Sequence, residues 1–234
     1  GAPRRLRAAT RSRRWKSNAT PRRPAPLMLR TALLGLLVIL GGYAAAAWLT
    51  HDFRVWTQEG SRRLEVALNP VPLPDVRLQG AAAPTLPEAA AGQVTIADFF
   101  YTRCQTVCLS LGSTFQQLQA ELQAQPTAPG ARPVRLLSLS FDGAHDDPRV
   151  LQAYARKMGA EPQIWQFASV ADAGEQRSLL ERLGVVVIPD ELGDFEHNAA
   201  LLVFDAQGRM VRVFDIAEQQ LALNYARHLA SKRS

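Results

Sequence analysis

From Thr31 to Leu49 the chain runs nineteen residues without a charge, TALLGLLVILGGYAAAAWL. That is close to the roughly 20 residues a membrane-spanning helix needs. Such a segment divides the chain, because whatever follows it folds on one side of a membrane and whatever precedes it stays on the other. Before it stand Arg4, Arg5, Arg7, Arg11, Arg13, Arg14, Lys16, Arg22, Arg23 and Arg30, with no acidic residue. The excess of positive charge holds the N-terminus in the cytoplasm and sends everything beyond Leu49 outside. Ala45-Ala46-Ala47 would suit a cleaved signal peptide, but the apolar run exceeds the usual signal core of about 7–15 residues. The expectation is a basic, disordered cytoplasmic tail over 1–30 and a retained transmembrane anchor over 31–49.

The formal charge of +6 suggests nucleic acid only until it is partitioned. Residues 1–27 hold nine of the 27 basic residues and none of the 21 acidic ones, which leaves 18 basic against 21 acidic, or −3, for residues 28–234. The outer part is mildly acidic, and nucleic-acid binding is excluded as its business. Residues 50–91 are rich in Pro and Ala, with Pro70, Pro72, Pro74, Pro84 and Pro87 interrupting any long regular element. They read as a spacer and entry segment. Residues 92–234 then form one domain, whose core could begin near 71.

That domain alternates. Strands are expected at Val94–Thr102, Val134–Asp142 and Ile164–Ala168, and helices at Cys108–Gln123, Pro148–Met158 and Asp172–Leu183. Two further strands, Ala199–Asp205 and Met210–Ile216, are joined by a short Gly-containing turn, and a last helix runs over Ala217–Ala230. Apolar strands separated by helices predict an α/β domain with parallel central strands and a mixed sheet, the terminal hairpin adding antiparallel edges. The cysteine pair after the first main strand makes the order thioredoxin-like.

The only two cysteines, Cys104 and Cys108, sit at the junction of that strand and the helix after it. Their spacing puts both sulfurs on one helical face, where they could close a disulfide or bind one metal ion. Backbone N–H groups and the dipole at a helix N-terminus favour thiolates. A purely structural disulfide would close too short a loop to restrain the unfolded chain much. Of four histidines, His197 is the candidate partner, in the polar loop Gly193-Asp194-Phe195-Glu196-His197-Asn198 just before a strand expected to end beside the cysteine loop. Two thiolates and an imidazole suit Cu(I), and with an added ligand Cu(II). The plainer reading of His197 is a surface-loop residue. His145 reads as a solvated turn residue, and His51 and His228 as structural.

These residues carry a resemblance. The run from Phe100 to Cys108 resembles the F-x-Y-T-x-C-x-x-x-C signature of the Sco/SenC family of membrane-anchored, thioredoxin-fold copper proteins. Ser140-Phe141-Asp142 with Asp146 and Pro148 is similar to its S-x-D-x-x-x-D-x-P stretch, and His197 matches its histidine ahead of the last strands. The resemblance implies that Cys104, Cys108 and His197 bind one copper ion. It also implies delivery of that ion to the binuclear copper site of a cytochrome c oxidase subunit, or exchange with another copper chaperone. Asp142 matches a family acid near the site, able to orient a ligand or dock a partner; a plain turn role is the other reading. The chain departs from the family in having Gln105 and Leu109 where Pro usually follows each cysteine, and Glu196-His197-Asn198 in place of Asp-His-Ser.

The rival class is a membrane-anchored thiol–disulfide oxidoreductase, in which Cys104 and Cys108 form the catalytic redox pair and His197 is dispensable. The C-x-x-x-C spacing, in place of C-x-x-C, favours copper. Met28 directly before the apolar run points to a bacterial inner membrane with the domain in the periplasm. A mitochondrial inner membrane facing the intermembrane space is the alternative.

Overall fold

The computed structural model describes residues 25–49, 58–104, 107–170, 172–190 and 194–232. They fall in two compact units, Gly1–Val55 and Trp56–Ser234. In the first, Ala25–Leu49 forms one helix, α1, of which Leu29–Trp48 is long and apolar enough to cross a membrane. Its large side chains, among them Leu33, Val38, Ile39 and Trp48, are exposed. The helix begins inside the stretch expected as basic tail, and residues 1–24 lie outside the described part.

The second unit starts earlier than the sequence suggests. Residues 50–91 were expected as a spacer and entry segment with the core beginning near 71 at the earliest, yet Gln58–Leu68 already forms a helix, α2. Two-residue strands β1 (Val71–Pro72) and β2 (Leu78–Gln79) and the short helix α3 (Leu86–Ala90) follow. Val66, Leu73, Val76, Leu78, Leu86 and Ala90 are all buried in the core. The prolines keep these elements short without keeping them out of the fold. Arg62 of α2 donates to the Leu183 carbonyl, and Arg63 pairs with Glu218 at 2.9 Å.

From β3 (Val94–Phe100) onward the expected alternation holds: α4 (Val107–Ala124), β4 (Val134–Ser140), α5 (Pro148–Met158), β5 (Trp165–Val170) and α6 (Ala173–Leu183). Then come β6 (Val187–Pro189), β7 (Phe195–His197), β8 (Leu201–Phe204), β9 (Arg209–Phe214), a single 3₁₀ turn and α7 (Gln219–Ser231). The main sheet has the order β1-β9-β8-β3-β4-β5-β2. Strands β3, β4 and β5 are parallel, and β8 runs antiparallel to β3. The terminal hairpin β8–β9 is antiparallel as expected, but it does not supply the edges. Those are β1 and β2, both from the segment expected as spacer, and their two-residue length leaves little edge to template further pairing.

Every residue of β3 is buried, as a parallel strand covered on both faces requires. Helix boundaries follow local chemistry. Asp147 caps α5 by accepting from the Arg149 and Val150 amides, with Pro148 at the first position and Gly159 in the left-handed conformation at the end. Asp172 and Gly184 do the same for α6. β3 sits at the sheet centre, so the chain leaving its C-terminal end is held from both sides. That is where the cysteine loop begins.

One group in β3 opposes this packing. Asp98 is 3% exposed, and among the described residues its Oδ1 meets no hydrogen-bond donor. Burial pushes its carboxyl up to about 7, against a smaller opposing pull from the Ser138 hydroxyl. Ser138 Oγ itself accepts from Trp165 Nε1 at 2.9 Å, leaving its proton free for Asp98. A carboxyl pKa raised on folding makes the folded state bind the proton more tightly, so the contribution of Asp98 to stability is greatest below about pH 4 and is lost as pH rises from about 4 to about 7. At roughly 1.36 kcal/mol per unit, the loss between pH 5 and pH 8 is about 3 kcal/mol. Denaturant unfolding of Trp56–Ser234 should show that decline in the parent and little of it in Asp98→Asn, which should be the more stable of the two at pH 8.

Candidate metal centre

The chain leaving β3 turns at once, and a buried carboxyl makes it turn. Asp146 is fully buried and accepts from the Thr102 amide at 3.0 Å, from the Thr102 hydroxyl and from the Ser140 hydroxyl. Its own carbonyl accepts from Ser169 Oγ at 3.2 Å, which ties the turn after β4 to β5. Two residues beyond Thr102 stands Cys104, its amide bonded to the Tyr101 carbonyl at 3.3 Å. Replacing Asp146 with Ala would strand one buried donor, the Ser140 hydroxyl, and two part-buried ones on Thr102, at roughly 1–3 kcal/mol for a donor that water cannot reach. Thermal unfolding of Asp146→Ala should show a loss of about 3 kcal/mol.

Asp142 lies beside this network. One oxygen, Oδ2, takes Arg103 Nη2 at 2.8 Å and Nε at 3.3 Å, and Oδ1 lies 2.8 Å from His145 Nδ1. Arg103, next to Cys104 in sequence, is thereby held with its guanidinium half-exposed and its pKa pushed further up by the Asp142 bond. Asp142 thus has defined partners, and Arg103 is one of them. His145, read as a solvated turn residue, is largely exposed but bonded to Asp142.

His197 sits on β7, where a polar loop was expected. The reason is the run Val185-Val186-Val187-Ile188, whose last two β-branched residues open β6 and give β7 a partner; Val187 pairs with His197, and Pro189 with Phe195. This hairpin is a two-stranded sheet of its own, separate from the main sheet. The imidazole lies 5.0 Å from the Phe141 ring and 6.4 Å from Tyr101, ring centre to ring centre. Burial holds its pKa below the ordinary histidine value, opposed by the Asn198 backbone. The ring is therefore neutral at neutral pH, the form that can ligate a metal.

Cys104 is buried and close enough to Tyr101 to act on its hydroxyl electrostatically. Burial, with a lesser contribution from Cys104, pushes the Tyr101 phenol up to about 12 despite its bond to Phe195. Cys104 and His197, distant in sequence, thus converge on one tyrosine. Cys108 falls in the first turn of α4, but its side chain lies outside the described part, as does all of His51. Among the described residues no three His, Cys, Asp or Glu side chains gather closely enough to hold a metal. His228, on α7, lines a surface cleft with Arg63, Arg212 and Tyr225. Tyr101 and Asp146 both lie inside the motifs read from the sequence, but their parts in the site were not foreseen. The clue was chemical, since Thr102 and Ser140 are small donors flanking an acid in an otherwise apolar setting.

The fold and site define a thioredoxin-like domain with a thiol at the end of its central strand and an imidazole brought to the same tyrosine. The family model described as SCO1/SenC matches residues 79–229. The chain belongs to the SCO1/SenC family. A protein described as a SCO1 homolog from Bacillus subtilis (strain 168) is 24% identical over 133 residues, covering 56% of this chain and 66% of that protein, just under two thirds of its length. The structure of BsSco, a member of the Sco family of cytochrome c oxidase assembly proteins in which a disulfide switch was identified, superposes with a TM-score of 0.60. The two are 19% identical, over 70% of this chain and 96% of BsSco. ScoI of Arabidopsis thaliana, solved with copper bound, gives 0.54 at 14% identity, over 68% of this chain and 98% of that one.

Proposed function

We propose that this chain is a copper metallochaperone, in which Cys104, Cys108 and His197 hold one copper ion and pass it to the binuclear copper site of a cytochrome c oxidase subunit. The observation that carries the reading is the meeting of Cys104 and His197 at Tyr101. The donor set fits the cargo. A thiol pair and a neutral imidazole are soft and low in coordination number, as Cu(I) prefers, and can take Cu(II) with one more ligand. The recipient's own thiolates can then displace these ligands one at a time, so the ion never has to leave into water. Arg103, fixed by Asp142 and half-exposed beside Cys104, offers a cation to an acidic docking surface on the recipient. The copper in ScoI of Arabidopsis thaliana and the assembly role of the Sco family to which BsSco belongs support the assignment by kinship.

The helix α1 is the membrane anchor in this reading, with Trp56–Ser234 in the periplasm of a bacterium. Because Val66 on α2 is part of the core, a soluble fragment should begin no later than Trp56. Reduced and loaded anaerobically with Cu(I), that fragment should hold one copper per chain. His197→Ala should weaken the binding by at least about tenfold, and Cys104→Ser or Cys108→Ser should abolish it. Equal copper affinity in His197→Ala would refute the ligand set. No specific copper in the parent would move the assignment to a thiol–disulfide oxidoreductase built on the same cysteines.

A further inference from the structure

Backbone hydrogen bonds in the β6–β7 hairpin alternate, as an antiparallel pair requires. The Asp190 amide donates to the Asp194 carbonyl at 2.8 Å and the Asn198 amide to the Val186 carbonyl at 3.3 Å. The hydrogen-bonded pairs are therefore Asp190 with Asp194, Ile188 with Glu196 and Val186 with Asn198. Val187 and His197, opposite each other between two of these rungs, form the kind of pair that exchanges no backbone bonds with one another. The place of His197 in the hairpin is thus set by the rungs on either side of it.

The rung beyond His197 depends on a side chain. There the Val186 amide donates to Asn198 Oδ1, at 2.8 Å, in place of the Asn198 carbonyl. The same carboxamide donates through Nδ2 to the Gly184 carbonyl at 3.2 Å. Gly184 is a firm anchor. It ends α6 in the left-handed conformation, its amide bonded back to Glu181 and Leu180. Arg62 donates to the Leu183 carbonyl and fills the space that a Cβ at 184 would need, and α6 itself is buried through Leu179, Leu180 and Leu183. Only a carboxamide meets both demands from one planar group: a serine hydroxyl could serve one of them, and an aspartate could accept from Val186 but not donate to Gly184.

We infer that Asn198 is a positioning residue for His197: its side chain closes the hairpin on the far side of the histidine and ties it to the end of α6, and so sets where the imidazole stands against Phe141. That this placement serves copper rests on the copper reading above; the placement itself does not.

Asn198→Ala tests this in the full chain, reduced and in detergent. Without metal, exchange of the Val186 amide should quicken by about tenfold, as expected for one lost hydrogen bond, while exchange in β3 and β8 stays as in the parent. The His197 ring lies 5.0 Å from the Phe141 ring, centre to centre, so its NMR proton lines carry a shift from that ring; in the variant they should move toward the positions of an exposed histidine. With Cu(I), competition against bicinchoninate should show about tenfold weaker binding, and the same substitution made on His197→Ala should weaken binding no further. Ring protons that stay in place overturn the inference, whatever the exchange shows, because Asn198 would then only fasten the hairpin. So does a Cu(I) affinity that is unchanged, or that falls equally with and without the histidine. If the parent binds no Cu(I), the copper assignment fails and the ring protons alone decide the part played by Asn198. Should Asn198→Ala not fold, Asn198→Asp, which keeps the Val186 bond and loses the Gly184 bond, is judged by the same proton lines.

Discussion

A carboxyl group sealed from water has to be met by donors, and Asp146 meets its need by drawing in the chain that leaves β3. The Thr102 amide and hydroxyl and the Ser140 hydroxyl converge on it, and the Asp146 carbonyl reaches across to Ser169 on β5. The result is a junction of three parallel strands at their C-terminal ends. Cys104 leaves this junction two residues later, already buried, and Asp142 of the same turn aims Arg103 alongside it. The site is thus an extension of the sheet's own hydrogen bonding, and its stiffness is borrowed from the core.

The two halves of the site are held by different means. The cysteine half rests on buried polar bonds and on β3, a strand buried along its whole length. The histidine half rests on aromatic packing among Tyr101, Phe141 and Phe195 and on the Asn198 side chain, which accepts from the Val186 amide and donates to the Gly184 carbonyl. Packing of rings tolerates small displacements that a network around a sealed carboxyl does not. A site built this way has a fixed part and an adjustable part.

Much of this was legible in the residues. Strand–helix alternation from Val94 to Leu183 was readable because Asp147, Pro148, Gly159, Asp172 and Gly184 punctuate it with local chemistry. The cysteine pair announced itself by position, and His197 by its place before a strand. What escaped was non-local. α2 carries Gly60 and several charges, and its buried contribution through Val66 depends on partners far along the chain. β1 and β2 are two residues each and exist only because β9 and β5 offer them an edge. β6 and β7 need each other across a loop, so neither has the length to show as a strand alone. Asp146 entered only as one residue of a stretch similar to the family's, and its role depends on the fold placing Thr102 over it.

The detached hairpin has one more consequence. Because β7 belongs to a two-stranded sheet apart from the main one, swinging it aside breaks side-chain contacts to Tyr101 and Phe141 but no ladder of the main sheet, and its opening draws on local stability rather than on the stability of the whole domain. In the proposed copper site the imidazole is then the movable partner, while the Cys104 sulfur, in the loop after β3, stays where the core has put it.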